Sequence, residues 1–89
     1  MKRFDVYTKN GCPWCEKAKQ LILSKGWVYN ERVIGVNATK DEIQHRVSAL
    51  GLVVQINTVP QIFLLGDNSS DNYIGGFDQL NQQIVSGAI

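Results

Sequence analysis

Hydrophobic and polar residues along the chain predict strands and helices in alternation. The first residues alternate like a strand that turns one face inward, with Phe4, Val6 and Thr8 set against Asp5 and Tyr7. From Pro13, whose fixed φ suits the first turn of a helix, apolar residues recur at helical spacing as far as Gly26. The inward stripe of this predicted helix consists of Cys15, Ala18, Leu21, Ile22 and Lys25. The residues predicted to face the solvent are Glu16, Lys17, Lys19 and Gln20.

The remaining elements continue the alternation. Residues 27–34 are rich in β-formers and predict a second strand. The stretch from Thr39 to Glu42 has the spacing of a capping box, and the apolar residues behind it predict a second helix that ends at Gly51. A short strand over 61–65, a polar turn over 66–72, a returning strand over 72–74 and a last helix from Phe77 complete the chain. The sequence leaves undecided whether the segment Gly51–Asn57 forms a loop or an extra strand.

The predicted order, β-α-β-α-β-β-α, indicates an α/β fold with three layers and a mixed four-stranded sheet. A strand–helix–strand start implies a parallel pair with a right-handed crossover, and the late hairpin adds two antiparallel strands. A chain of 89 residues has room for one core, so we expect a single domain over residues 1–89.

Composition and charge narrow the class of protein. The formal net charge of +1 gives no electrostatic reason to expect nucleic acid or a membrane surface as a partner. The chain has no apolar run of about 18 residues, and its first residues lack the apolar stretch of a signal peptide. Two cysteines separated by two residues are not the framework of a disulfide-stapled secreted domain. We therefore expect a cytoplasmic protein.

The candidate chemistry lies in Cys12-Pro13-Trp14-Cys15, where the first helix is predicted to begin. A thiol at the first turn of a helix faces unpaired backbone N–H groups and the positive end of the macrodipole, and both stabilise a thiolate. A thiolate is the species that attacks disulfides. Cys15 follows Cys12 by one helical turn and is able to close a disulfide with it. The sequence therefore predicts a protein that exchanges thiols and disulfides.

Three motifs carry a resemblance to a known family. Cys12-Pro13-Trp14-Cys15 follows the first strand, Thr58-Val59-Pro60 precedes the third, and Gly75-Gly76-Phe77-Asp78 precedes the last helix. Together, in this order, they resemble a glutaredoxin of the thioredoxin-like superfamily, over nearly the whole chain. The usual motif has Tyr at the position of Trp14. The segments Gly51–Asn57 and Gly66–Asn72 also look longer than in compact bacterial members.

The resemblance implies a glutathione-dependent disulfide oxidoreductase, with glutathione as co-substrate and no tightly bound cofactor or metal. Cys12 would be the attacking thiolate, and Cys15 would resolve the mixed disulfide. Lys9 would add positive charge and contact a glutathione carboxylate. Pro60 would be the family's cis-proline, which leaves the backbone of Val59 to pair with the extended tripeptide.

The same resemblance implies further contacts to glutathione. Gly75 and Gly76 would let the backbone approach the γ-glutamyl end, and the N–H groups of Phe77 and Asp78 would bind its carboxylate. Asp78 would cap its helix, bind the ammonium group, or do both. The remaining expected binding residues are Trp14, which shapes the groove, Thr58, and Gln44 near the glycyl carboxylate.

Partners and alternatives complete the prediction. By resemblance, we expect a monomer whose clients are disulfide-containing proteins such as ribonucleotide reductase. One alternative is a glutaredoxin-like redoxin reduced by thioredoxin reductase, and another is a glutaredoxin that binds an iron–sulfur cluster. His45 is expected on the surface, and with Cys12 and Cys15 it would supply at most three ligands to a structural zinc ion.

Overall fold

Seven elements form in the predicted order. The structure is a computed structural model, and it describes residues 1–66 and 71–89. The elements are β1 Arg3–Thr8, α1 Pro13–Ser24, β2 Val28–Val33, α2 Lys40–Ala49, β3 Gln61–Leu64, β4 Asn72–Gly75 and α3 Phe77–Val85. The segment Gly51–Asn57 forms neither a helix nor a strand. Of the predicted polar turn over 66–72, residues 67–70 lie outside the described residues.

The strands form one mixed sheet in the order β2-β1-β3-β4. β1 pairs with β2 in parallel, and Val6 lies opposite Glu31 in that register. On its other edge β1 pairs with β3 in antiparallel fashion, and β3 pairs with β4 in the same way. The predicted parallel pair and late hairpin are therefore confirmed, and with three helices they complete the predicted α/β fold.

Helices cover the central strands on both faces. On one face, α1 and α3 enclose a cluster made of Phe4, Val6, Ala18, Ile22, Ile62, Ile74 and Leu80. On the other face, α2 and its flanking loops enclose Tyr7, Ala38, Ile43, Val47, Ile56 and Phe63. The prediction that β1 turns only one face inward is wrong, because Tyr7 is 1% exposed beneath α2. A strand at the centre of a three-layer fold has no solvent face.

The faces predicted for α1 need two corrections. Lys25, which is predicted to face inward, is exposed at the C-cap. Lys19, which is predicted to face the solvent, is only 8% exposed. Its Nζ atom lies 2.7 Å from Glu16 and 2.9 Å from Glu31 on β2. A periodic pattern predicts charged residues on the solvent side because burial of an isolated charge costs free energy. That cost is offset for Lys19, since its ammonium group has two carboxylate partners.

Half of the predicted capping box forms at the start of α2. Thr39 is the N-cap, and its hydroxyl accepts a hydrogen bond from the N–H of Glu42 at 3.2 Å. The Glu42 carboxylate accepts hydrogen bonds from Tyr7 and Arg32. Within residues 1–66 and 71–89, none of the helices has the length and apolar character needed to span a bilayer.

Candidate active site

The two cysteines lie where the sequence places them, at the start of α1. Cys12 is the N-cap, with extended backbone angles of φ −102° and ψ 103°, and Pro13 begins the helix. The backbone N–H of Cys15 donates a hydrogen bond to the Cys12 sulfur at 3.1 Å. The cysteines form a disulfide, and their Cα atoms are 5.3 Å apart. The same N–H would stabilise negative charge on Cys12 once that bond is reduced.

The cysteines differ in their access to solvent. Cys15 is 1% exposed, whereas Cys12 is half-buried. Cys12 therefore offers surface to a molecule in solution, whereas Cys15 offers almost none. This difference agrees with the predicted division into an attacking and a resolving cysteine.

The Val59–Pro60 peptide bond lies opposite Cys12. It is cis, as the resemblance implies. The carbonyl oxygen of Val59 is 3.8 Å from the Cys12 sulfur. The backbone just before β3 therefore runs beside the disulfide, where a bound peptide would also have to lie.

A first cavity opens on the α3 side of this backbone. Its volume is about 210 Å³, and we call it the aromatic cavity; its lining is Trp14, Thr58, Val59, Pro60, Gly76, Phe77, Asp78 and Gln79. The Trp14 ring is half-exposed and lies 5.5 Å from the Phe77 ring, centroid to centroid. Lys17 Nζ is 4.2 Å from the centre of the Trp14 ring, close enough for a cation–π interaction.

A second cavity opens on the α2 side of the same backbone. Its volume is about 140 Å³, and we call it the lysine cavity; its lining is Lys9, Ile34, Lys40, Ile56, Asn57, Thr58 and Val59. Thr58 and Val59 line both cavities, so the two are neighbours with Cys12 close to their shared wall. The lysine cavity has two ammonium groups in its lining, which suits an anionic ligand.

Two further residues, which the sequence motifs do not indicate, line these cavities. Lys40 is the first residue of α2, and no local pattern in the sequence places its side chain at a cavity. Gln79 lines the aromatic cavity, and its side-chain oxygen accepts a hydrogen bond from the N–H of Gly76 at 2.9 Å. Gln79 occupies the third position of α3, where glutamine is common in capping boxes.

The expected capping role of Asp78 is wrong. Gly76 is the N-cap of α3, so Asp78 is an exposed residue of the first turn. The preceding Gly75 has a φ of +112°, a conformation that favours glycine. In the described part of the chain, the Asp78 carboxylate has no hydrogen bond or ion pair, which leaves it available to a ligand.

Gln44 lies apart from the other predicted binding residues. Its side-chain amide donates a hydrogen bond to the carbonyl of Val54 at 3.0 Å, and it lines neither cavity. It thus holds the segment Gly51–Asn57 against α2. His45 is exposed on α2, as expected. Residues 1–66 and 71–89 contain no cluster of three metal-ligating side chains.

Known proteins are similar to this chain in sequence and fold. The sequence profile of the Glutaredoxin family matches residues 5–68. Glutaredoxin 3 of Escherichia coli (strain K12) is 39% identical over 80 residues, which cover 90% of the chain and 83% of that protein. Hybrid peroxiredoxin hyPrx5 of Haemophilus influenzae is 38% identical over 77 residues, which cover 86% of the chain but only 27% of the relative. The crystal structure of Glutaredoxin 1 from Francisella tularensis complexed with cacodylate superposes with a TM-score of 0.71 at 31% identity, and the match covers 99% of this chain and 98% of that one.

Proposed function

Because the chain belongs to the glutaredoxin family, we propose that it is a glutathione-dependent dithiol oxidoreductase. Its substrates are protein disulfides and glutathionylated thiols. The observation that carries this proposal is the pair of cavities that meet at Val59, 3.8 Å from the Cys12 sulfur. The linings present an acidic group in Asp78, backbone groups at Val59 and basic groups in the lysine cavity. This order fits the ammonium group, the peptide backbone and the carboxylates of glutathione.

The first step is attack by Cys12. Its thiolate forms a bond to one sulfur of the substrate disulfide, and the other sulfur leaves with the electron pair of the broken bond. The N-cap position and the N–H of Cys15 at 3.1 Å favour this thiolate. The product is a mixed disulfide between Cys12 and the client.

Cys15 then resolves the mixed disulfide of a protein client. Its thiolate attacks the Cys12 sulfur, the client leaves as a reduced thiolate, and the Cys12–Cys15 disulfide forms. Two glutathione molecules restore the dithiol: the first forms a mixed disulfide with Cys12, and the second releases it as glutathione disulfide. A glutathionylated substrate needs Cys12 alone, because glutathione itself resolves the intermediate.

The cavities suggest how glutathione is held. The γ-glutamyl carboxylate accepts hydrogen bonds from the N–H groups of Phe77 and Asp78 at the start of α3, and its ammonium group pairs with the Asp78 carboxylate. The cysteinyl backbone pairs with Val59, as a short added strand would. The glycyl carboxylate lies in the lysine cavity between Lys9 and Lys40, while Trp14 forms a wall of the aromatic cavity.

The protein clients are proposed on two grounds. The resemblance to glutaredoxins supports ribonucleotide reductase. The match to part of a hybrid peroxiredoxin supports a second class of client, namely an oxidised or glutathionylated peroxiredoxin cysteine. We further propose that residues 1–89 form one domain that acts as a monomer in the cytoplasm.

A turnover assay tests the dependence on glutathione. The oxidised protein is given either glutathione with glutathione reductase or thioredoxin reductase alone, and NADPH consumption is followed with a protein disulfide and a glutathionylated peptide. Glutathione should support turnover of both substrates. Cys12→Ser should abolish both activities, and Cys15→Ser should retain only the glutathionylated peptide.

The alternatives give different results in that assay. Rapid reduction by thioredoxin reductase, with none by glutathione, would assign the chain to the redoxins served by that enzyme. Visible absorbance after anaerobic purification, lost together with bound iron and glutathione, would favour cluster binding. Turnover of both substrates by the Cys12→Ser variant would contradict the assignment of the nucleophile.

A further inference from the structure

Lys19 is a buried charge to which the reaction steps above give no role. In the part of the chain that the structure describes, it is the one charged residue that is buried. Its Nζ atom lies 2.7 Å from Glu16 and 2.9 Å from Glu31. Thr8, the last residue of β1, donates a hydrogen bond to the same Glu31 oxygen at 2.8 Å. These contacts connect α1, β1 and β2 at the end of the sheet where Cys12 and Cys15 lie.

The geometry fixes the ammonium group near the turn that contains Cys15. Cys15 and Lys19 are four residues apart and therefore share a face of α1. Long helical side chains lean toward the helix N-terminus, and the ion pair with Glu16 shows that Lys19 does so. Glu31 lies opposite Val6 in the parallel register, on the sheet face that α1 covers. Lys19 is thus held from the helix by Glu16 and from the sheet by Glu31.

The charges around Cys15 do not cancel evenly. On this face β1 presents the uncharged Phe4, Val6 and Thr8, and β2 presents Tyr29 and Glu31. The charged residues nearby on α1 are Lys19 and its exposed partner Glu16, while Lys17 is exposed and lies over the Trp14 ring. On α3, apolar residues face the sheet and Asp78 is exposed. The side chain of Lys19 is 10% exposed, against 34% for Glu31 and 65% for Glu16. Water screens an exposed charge more than a buried one, so the cation has the larger effect on a buried thiol.

The ion pair persists at neutral pH. Burial by itself lowers the pKa of Lys19, but hydrogen bonds to Glu16 and Glu31 raise it above the ordinary value. The hydrogen bond from Lys19 lowers the pKa of Glu31, with a smaller contribution from Thr8. Lys19 therefore stays cationic, and Glu31 anionic, throughout the range in which a thiol ionises.

We propose that Lys19, held by Glu16 and Glu31, is a positioning residue that favours the Cys15 thiolate in the resolving step. The inference rests on the proposed dithiol mechanism. Cys15 loses its thiol proton to water, its sulfur bonds to the Cys12 sulfur, and the client sulfur leaves with the electron pair of the broken bond. Cys12 has the helix N-terminus to stabilise its charge, whereas Cys15 lies within the helix. Lys19 supplies the stabilisation that Cys15 lacks.

Reaction of the reduced protein with dithiobis(nitrobenzoate) measures both cysteines in one experiment. Attack by Cys12 releases one yellow thiolate, and attack by Cys15 on the resulting mixed disulfide releases the second. Rapid mixing at a series of pH values gives a pH profile for each release. Lys19→Met keeps the apolar stem and should slow the second release about tenfold at neutral pH, with its profile moved to higher pH. Lys19→Arg should restore it, and Lys25→Met, at the exposed C-cap of the same helix, should change neither release.

Glu31→Gln gives the opposite prediction. The glutamine oxygen still accepts hydrogen bonds from Lys19 and Thr8, but a negative charge is removed. The second release should then become faster at acid pH, and its profile should move to lower pH. If Lys19 only held α1 against the sheet, the second release would be slower in both variants. The direction of the Glu31→Gln effect therefore distinguishes a structural role of Lys19 from stabilisation of the Cys15 thiolate.

Each remaining outcome contradicts a specific statement. Equal shifts of the first and second release, or no shift in either variant, would overturn the role of Lys19 and leave the dithiol mechanism intact. The absence of a second release from the unsubstituted protein would overturn that mechanism itself. Circular dichroism and urea unfolding verify the fold of each variant. If Lys19→Met does not fold, a slower second release in Glu31→Gln is sufficient to overturn the inference.

Discussion

At the scale of single residues, the first turn of α3 shows how a carboxylate becomes available to a ligand. Gly76 takes the N-cap position, and the side chain of Gln79 accepts the hydrogen bond of its N–H. Asp78 therefore does not cap the helix, and it lines the aromatic cavity. Asp41 occupies the first turn of α2 and lines neither cavity. The two aspartates share the interaction with a helix macrodipole and differ in their access to the proposed ligand.

Replacement of Asp78 tests the binding of the γ-glutamyl ammonium group. Asp78→Asn should lower kcat/KM for a glutathionylated peptide about tenfold, which corresponds to ~1.4 kcal/mol, because a charge-assisted hydrogen bond is weakened. The reaction of Cys12 with a small disulfide that lacks a γ-glutamyl group should be unchanged. Asp41→Asn is the control for the macrodipole effect. Equal losses with both substrates, at unchanged stability, would contradict a glutathione site at this position.

At the scale of elements, α2 begins with a single well-defined cap. The Thr39 hydroxyl accepts the hydrogen bond of the Glu42 N–H, and the Glu42 side chain is engaged elsewhere. The hydrogen bond from Tyr7 lowers the pKa of Glu42, and a further one from Arg32 acts in the same direction. The Glu42 carboxylate is therefore bonded to residues of the sheet, and the Thr39 hydroxyl is the side-chain cap of this helix end.

Removal of that cap should destabilise the fold by a measurable amount. Thr39→Ala should lower the free energy of unfolding by about 1 kcal/mol, because a helical N–H loses its acceptor. Urea unfolding at neutral pH measures the change. Thr39→Ser keeps the hydroxyl and should remain close to the unsubstituted protein. A Thr39→Ser loss as large as that of Thr39→Ala would show that the methyl group, rather than the cap, stabilises this end of α2.

The order of the elements was predictable because each depends on a local pattern. Caps, periodicity and the glycine after each helix lie within a few residues of the ends that they define. The burial of Tyr7 and Lys19 was not predictable in this way, since it depends on which elements cover each face of the sheet. The position of Cys12 at the N-cap of α1 was predictable in the same way as the elements, because Pro13 beside it indicates where the helix begins. The cavity positions of Lys40 and Gln79 depend on how α2 and α3 are placed relative to β3.

At the scale of the whole molecule, Arg46 connects elements distant in sequence. Its guanidinium lies 2.8 Å from Asp5 on β1 and 3.0 Å from Asp71 beside β4. It also lies 4.1 Å from the centre of the Phe63 ring on β3. This network is on the α2 face of the sheet, and none of its members lines the aromatic or the lysine cavity. The Arg46 network is thus separate from the residues to which the proposed function gives a role.

Replacement of Arg46 should separate stability from activity. Arg46→Met should lower the free energy of unfolding by about 1–3 kcal/mol, because two partly buried carboxylates lose their partner. Turnover by the folded protein should be unchanged. Arg32→Met removes a more exposed ion pair with Glu42 and should cost less. A large loss of turnover in Arg46→Met at a temperature where it is folded would show that this network also supports the active site.

The unequal exposure of the two cysteines has a kinetic consequence. Under the proposed function, every partner that brings or removes electrons forms its bond with one atom, the Cys12 sulfur, because Cys15 is buried. We then expect oxidation and reduction to alternate at this sulfur as a double displacement, with one partner bonded to it at a time. In that scheme the oxidised client and glutathione disulfide would compete for one form of the protein, and glutathione would react with the other. The ratio of glutathione to its disulfide would therefore set the share of the protein available to each client.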